Sequence, residues 1–252
     1  MATDTQAGLF FGTFIEHWPT SLCALSMPHI GLALAHADAE LIASRVDAAG
    51  PADARAFSPA LTRWLSQALA QLPGAAFLRL GGRSFVSQER PPQPVCTVEQ
   101  ALELLAAPGE RAARMARRCQ LSGRQIWLFV REWRAMQADE EFRLVMRQRT
   151  LIAASQLHHR LPFPQAHQRA PEIADRITRL GHQLGATLHL PDVVADVWIP
   201  RGNAHKDELI ELNPLMAATG RALLETAVTG QHAPALHLLQ CDGTTLKFRL
   251  HQ

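Results

Sequence analysis

DVVADVWIPRGNAHKDELIELNP, residues 192–214, sets two strand-like runs on either side of a polar loop. Val193 to Ile199 is rich in the β-branched and aromatic residues that suit a pleated surface, and Glu208 to Leu212 alternates with period two. Pro200, Gly202 and Asn203 punctuate the connection, which predicts an antiparallel hairpin with a long turn. Side chains two apart on a strand share a face, so Glu211 and Asn213 project together. Pairing Ile199 with Glu208 then sets Asp196 directly across from Glu211. Two carboxylates and an amide oxygen converge on one patch of sheet. Adjacent carboxylates repel unless a cation or a shared proton compensates them. An all-oxygen set with few protein ligands suits Mg²⁺, which keeps several waters and takes phosphate oxygens as further ligands. An exposed hairpin carrying ordinary surface acids is the plainer alternative, and the hairpin alone does not choose.

Working outward, 252 residues with 47% hydrophobic content allow one large domain or two small lobes around a substantial core. A formal charge of +2 is too small to argue for a nucleic-acid partner. Lys206 and Lys247 are the only lysines, a bias that points to a GC-rich genome rather than to chemistry. Cys23, Cys96, Cys119 and Cys241 form no close pair, so neither a zinc site nor a redox CxxC is indicated, and scattered thiols fit a reducing compartment. The start, MATDTQAGLFFGTF, lacks a basic n-region, and no apolar run reaches membrane-spanning length. The expectation is a cytoplasmic protein without a membrane partner.

Upstream, Leu22 to Leu34 holds a candidate strand, and residues 36–57 a short helix around Leu41, Ile42 and Val46. Ser58-Pro59 is a helix start, followed by Leu61, Trp64, Leu65, Ala68 and Leu72 at helical spacing until Pro73-Gly74. Ala75 to Ser84, AAFLRLGGRS, reads as a strand running into a glycine pair. Glycine lets a ligand approach the backbone and the flanking arginines suit phosphate, although a loop with solvated arginines fits as well. Thr97 and Gln100 make a capping box. The arginines of Glu110 to Cys119 read as a solvated basic face, because no aromatics interleave. Gln125 to Trp133 is a continuous apolar run of strand length.

Glu140 to Arg147 alternates, and Thr150 to Leu157 follows a short turn at Gln148-Arg149, predicting another hairpin whose register the turn chemistry leaves open. His158 and His159 after it have no metal-ligand spacing and read as polar surface residues. Pro171 opens a helix with Ile173, Ile177, Leu180 and Leu184 that Gly185 closes. Met216 to Val228 looks helical, and Leu236 to Leu250 like a final hairpin around Asp242-Gly243. The order implies an α+β fold with mainly antiparallel sheet. A Walker-type GxxxxGK and a dinucleotide fingerprint are both missing.

Several blocks together resemble the cell division cycle protein 123 family, a divergent branch of the ATP-grasp fold: 57–85, CTVEQALELL (96–105), 129–156, DVVADVWI (192–199) and ELIELNP (208–214). His17-Trp18-Pro19 matches a Trp-Pro region near the family's start. The resemblance implies ATP and Mg²⁺ as ligands. Arg79 stands where the family holds phosphates with a basic residue. Gly81, Gly82, Arg83 and Ser84 resemble the loop over the triphosphate. Val130, Arg131, Glu132 and Trp133 are similar to the hinge whose backbone reads the adenine edge. Arg143 resembles the arginine that reaches the terminal phosphates, and with Arg79 it is the expected catalytic pair. Asp196, Glu211 and Asn213 match the metal positions, with glutamate where many members have aspartate. The family reads Arg-Ser-Pro-Lys-Asp where this chain has Arg83-Ser84-Phe85-Val86-Ser87, so a basic and an acidic residue are missing. The aromatic and acidic tail of the eukaryotic members is missing too, as expected of a compact bacterial relative.

The expected architecture is ATP-grasp-like: residues 1–56 as an extension packing on the core, 57–125 as a smaller lobe with the phosphate loop, and 126–252 as a larger antiparallel lobe with the metal site. The expected function is a Mg-ATP-dependent ligase- or phosphotransferase-like activity toward an unidentified small-molecule or protein acceptor. The rivals are an ATP-binding assembly chaperone, like the eukaryotic relatives that assemble translation initiation factor 2, and a nucleotide-binding remnant with a structural role.

Overall fold

The structure, a computed structural model, describes residues 8–46, 50–86, 91–202, 204–216, 223–224 and 234–250. Asn203 and nearly all of the helix expected over Met216 to Val228 lie outside the described residues. The chain is α+β and divides into two compact units, residues 28–134 and residues 1–27 with 135–252.

The unit of 28–134 is built on a four-stranded sheet of β1 (His29–Ala33), β2 (Ala76–Leu80), β3 (Arg83–Ser84) and β4 (Trp127–Glu132), in the order β1-β4-β2-β3. Every pairing is antiparallel. The sequence draws a boundary at 125/126, whereas β4 pairs here with β1 and β2 and the crossing falls at 134/135. Alternation turns Leu78 and Leu80, with Leu128 and Val130, to one face, and all four are buried. The helix Pro59–Gln71 starts as expected, with Ser58 Oγ accepting from the Leu61 amide, and Asp38 in turn receives the Ser58 hydroxyl at 2.7 Å. The Thr97–Gln100 capping box forms at the head of Val98–Ala106.

The other unit carries a six-stranded sheet: β5 (Glu141–Arg147), β6 (Thr150–Gln156), β7 (Val193–Trp198), β8 (Glu208–Pro214), β9 (Ala235–Leu239) and β10 (Thr245–Arg249). The order is β10-β9-β6-β5-β7-β8, antiparallel except for the parallel β6–β9 pair. Phe142, Leu144, Ala154, Ala195, Val197, Leu236 and Leu238 are buried on one face. That face meets the helix Ala170–Thr187, whose stripe of Ile173, Ile177, Leu180 and Leu184 is equally buried.

Three local expectations meet the tertiary structure here. The β5–β6 hairpin closes in two residues, Gln148 at φ 46° and Arg149 at φ 61°, the backbone of a tight twisted turn without its usual Asn-Gly. Tertiary bonds support it: the Gln148 amide donates to Asp192 Oδ1 and the Arg149 amide to Pro191 O, each at 2.8 Å. Gly185 does not end its helix, which runs on to Thr187. A Cβ at Gly185 would lie 2.3 Å from the Arg149 carbonyl oxygen, so glycine is there to let the hairpin turn dock. The strand expected within Leu22 to Leu34 is β1, and a short helical turn, Thr20–Cys23, precedes it.

Candidate functional site

The β7–β8 hairpin forms, with one adjustment. Trp198, not Ile199, pairs with Glu208, and Val197 with Leu209. A bulge at Ile210 then adds one residue to β8, so Asp196 still falls opposite Glu211. The bulge is held from outside the sheet: the Leu209 amide donates to Leu25 O at 2.7 Å, and Ser26 Oγ donates to Leu209 O at 2.9 Å.

Arg143, on β5, pairs across to Asp196. Its Nε and Nη2 donate to the two carboxylate oxygens at 2.7 and 2.6 Å, a bidentate grip. Asn213 Nδ2 donates to Glu211 Oε1 at 3.0 Å and to Asp196 Oδ2 at 3.4 Å. Four of the expected residues, Arg143, Asp196, Glu211 and Asn213, therefore share one patch on the polar face of the six-stranded sheet.

Its electrostatics are uneven. Burial, the strongest influence, pushes Asp196 up to about 7, with the Glu211 charge adding to the rise and Arg143 opposing it. Burial also works against the Arg143 charge, but the bonds from Asp196 and the charges of Asp196 and Glu211 outweigh it and hold the guanidinium above its ordinary range. One guanidinium faces two carboxyl groups, and near neutral pH Asp196 is held partly protonated. A divalent ion would replace that proton and relieve the same repulsion. The residue types suit such an ion, two carboxylates and an amide, but Asn213 now turns its nitrogen to the acids, so its amide would have to turn over to offer the hard oxygen. Among the described residues no group of three or more His, Cys, Asp or Glu is placed to hold a metal, so a site here depends on Asn213 and on ligand oxygens.

The remaining expected residues belong to the unit of 28–134. Arg79 and Arg131 alternate onto the sheet face that also carries Phe77 and Phe129, and both arginines are buried. Phe129 lies over Gly31, where a Cβ would come within 2.6 Å of the ring, and it stacks on Trp127 with centroids 6.2 Å apart. Gly81 and Gly82 form the β2–β3 connection, with Arg83 opposite Leu80 and Ser84 opposite Arg79. The backbone of Val130 to Trp133 is committed to the sheet. Val130 and Arg131 pair on both sides, and the Glu132 and Trp133 amides donate to Pro28 O and Ala75 O. Of this segment, Trp133 alone lies past the end of β4.

Two features of the polar face went unseen in the sequence. His158 Nε2 lies 3.1 Å from Glu141 Oε1, at the start of β5, which raises the imidazole above its ordinary value. The row holding Arg143 and Asp196 also continues across β6, β9 and β10, through Ser155, His237 and Lys247. Short-range alternation could have put His237 on a face, but nothing local reveals that β9 lies parallel beside β6.

The D123 family pattern matches residues 105–227, a stretch holding Arg143, Asp196, Glu211 and Asn213. The chain is similar to the structure of Cdc123 from Schizosaccharomyces pombe, with a TM-score of 0.73, 17% identity, and coverage of 91% of this chain and 96% of that one. The C-terminally truncated form of that protein matches with a TM-score of 0.69 over the same shares. At this identity the likeness establishes the fold. No curated protein matches the chain in sequence.

Proposed function

The chain belongs to the Cdc123 (D123) family, and from that premise we propose that it binds Mg-ATP and uses it as an ATP-grasp enzyme. The observation that carries the reading is the patch of Arg143, Asp196, Glu211 and Asn213, in which two half-compensated carboxylates lie beside one arginine. Asp196, Glu211 and Asn213 would hold Mg²⁺, whose charge would be shared with phosphate oxygens. Arg143 would exchange part of its grip on Asp196 for the terminal phosphate, stabilising charge that develops there. In the other unit, Arg79 and the Gly81–Ser84 connection would serve the remaining phosphates. The adenine edge would be read at the Trp133 carbonyl or beyond, since the amides of Glu132 and Trp133 serve the sheet.

One observation favours binding without turnover. Where the family's phosphate loop continues as Pro-Lys-Asp, Phe85, 2% exposed, stands for the proline and Val86 for the lysine, so the loop carries no base there. A chain lacking that lysine keeps phosphate binding through Arg79 and Arg143 while losing a charge that chemistry would use, as suits an assembly chaperone or a nucleotide-sensing remnant.

Calorimetric titration with Mg²⁺ and a non-hydrolysable ATP analogue, alongside ATP hydrolysis over a panel of amines and carboxylates, tests both. Turnover that falls roughly a hundredfold in Arg143→Ala and Asp196→Ala, with the circular dichroism unchanged, supports the enzyme. Binding without turnover supports the second reading, and a wild-type chain that binds no nucleotide rejects both.

A further inference from the structure

Lys247, His237, Ser155, Arg143, Asp196 and Glu211 are consecutive cross-strand partners on all six strands of one sheet. Neighbouring strands lie about 4.8 Å apart, so this row runs roughly 24 Å along a single face. The half from Arg143 to Glu211 is the patch already described. The other half is electrostatically different and has no carboxylate in it.

His237 is 6% exposed, and its ring nitrogens make no hydrogen bond with any described residue. The ring is packed into the sheet while its nitrogens stay reachable from solvent, so the side chain is fixed in place and open to a ligand. Directly opposite, Lys247 is exposed and makes no ion pair among the described residues. Arg249 and Thr245, two residues either side of Lys247, alternate onto the same face and are also exposed. On the inner side Ser155 is fully buried, and its hydroxyl donates to Gln156 O at 3.2 Å, so its proton is already used. Burial, and then the Lys247 charge, hold the His237 imidazole below its ordinary value, which keeps it a neutral donor and acceptor at pH 7.

We propose that His237 and Lys247 form an anion subsite on the same face as the nucleotide patch, and that it takes the carboxylate or phosphate of the acceptor. A neutral imidazole N–H and an ammonium would bind one anionic group between them, two strands along from Arg143. The Asp196–Glu211 end repels anions unless a metal is present, whereas this end attracts them without one. The assignment of the group to an acceptor rests on the Mg-ATP reading above; the anion site itself does not.

The test follows the His237 ring by ¹H–¹⁵N NMR in the full chain at pH 7, titrated with inorganic phosphate and, separately, with succinate. The expected result is a saturable shift of the His237 signals, with the anion that binds more tightly naming the acceptor class. Lys247→Met should weaken that binding roughly tenfold at the His237 ring, and His237→Gln, which keeps a donor and is read by calorimetry with the same anions, should weaken it less. Binding of the Mg²⁺–ATP analogue is measured by calorimetry on the same samples. Analogue binding with a silent His237 overturns the subsite and leaves the nucleotide reading standing. A Lys247-dependent anion response without analogue binding supports the subsite and removes the acceptor assignment with the nucleotide. A response unchanged in Lys247→Met overturns the subsite.

Discussion

Two clusters of arginines and carboxylates in the unit of residues 1–27 and 135–252 look alike on a list of residues and differ in kind, and a third joins Arg201 to Asp139 and Glu140. In one, Arg176 donates to Asp207 at 2.5 and 2.9 Å, to Glu172 at 2.9 Å and to the Pro200 carbonyl at 2.6 Å, while Arg169 reaches Glu172 and the same carbonyl. Two arginines meet two acids, and these bonds tie the helix Ala170–Thr187 to the loop between β7 and β8. In the other, one arginine meets two carboxyl groups, and Asp196 is pushed toward neutrality. Glu172 moves the opposite way, below its ordinary value, through its bonds to Arg169 and Arg176. The balanced cluster ties two elements together, whereas the other leaves Asp196 only partly compensated.

Exchanging the lesions gives the largest test of this contrast. Arg176→Met should cost about 3 kcal/mol of stability in urea denaturation, because it strands Asp207 and leaves the Pro200 carbonyl to Arg169 alone. Asp196→Asn should lower Mg-ATP affinity roughly a hundredfold with a much smaller effect on stability. Equal destabilisation by both changes would erase the distinction.

Acidity sharpens it further. Asp196 binds a proton more tightly in the fold, near 7, than at its ordinary value of 3.8. The folded state therefore carries the extra proton between those values, and stability falls as pH rises through that window. Asp196→Asn should flatten this part of the profile, measured as denaturation midpoints at about pH 5 and pH 8. A slope unchanged in the variant would mean that Arg143 already neutralises Asp196 fully.

The smallest effect belongs to His158, whose folded value is raised by Glu141. Its contribution is complete below the unfolded value of 6.5 and is lost as pH rises through the folded one. The pair is substantially exposed, so His158→Gln should cost no more than about 0.5 kcal/mol at pH 5.5 and nothing at pH 9. A wild-type His158 titrating at or below 6.5 by NMR would remove this contribution.

Much of the fold was legible along the chain. The Ser58 and Thr97 caps, the β5–β6 and β7–β8 hairpins and the apolar stripe of Ala170–Thr187 follow from local patterns, and so does the meeting of Asp196 with Glu211. That last expectation reached the right pair through a register one residue off, which the Ile210 bulge restored. Gly185 misled, because a glycine near a helix end signals a cap unless one knows that the Arg149 carbonyl needs the space. The sequence likewise gives no sign that β1 and β2 pair with Val130 and Arg131 on both sides.

What the residues determined by themselves is what depends on neighbours a few positions away: caps, turns, strand alternation, and the pairing of acids across one hairpin. Only the tertiary structure decided that Arg143 bonds Asp196, that β9 runs parallel beside β6, and that His237 and Lys247 extend the same polar row. Those facts depend on which strands lie side by side, and strand order is set by packing the whole apolar face onto one helix, which no short window of sequence contains.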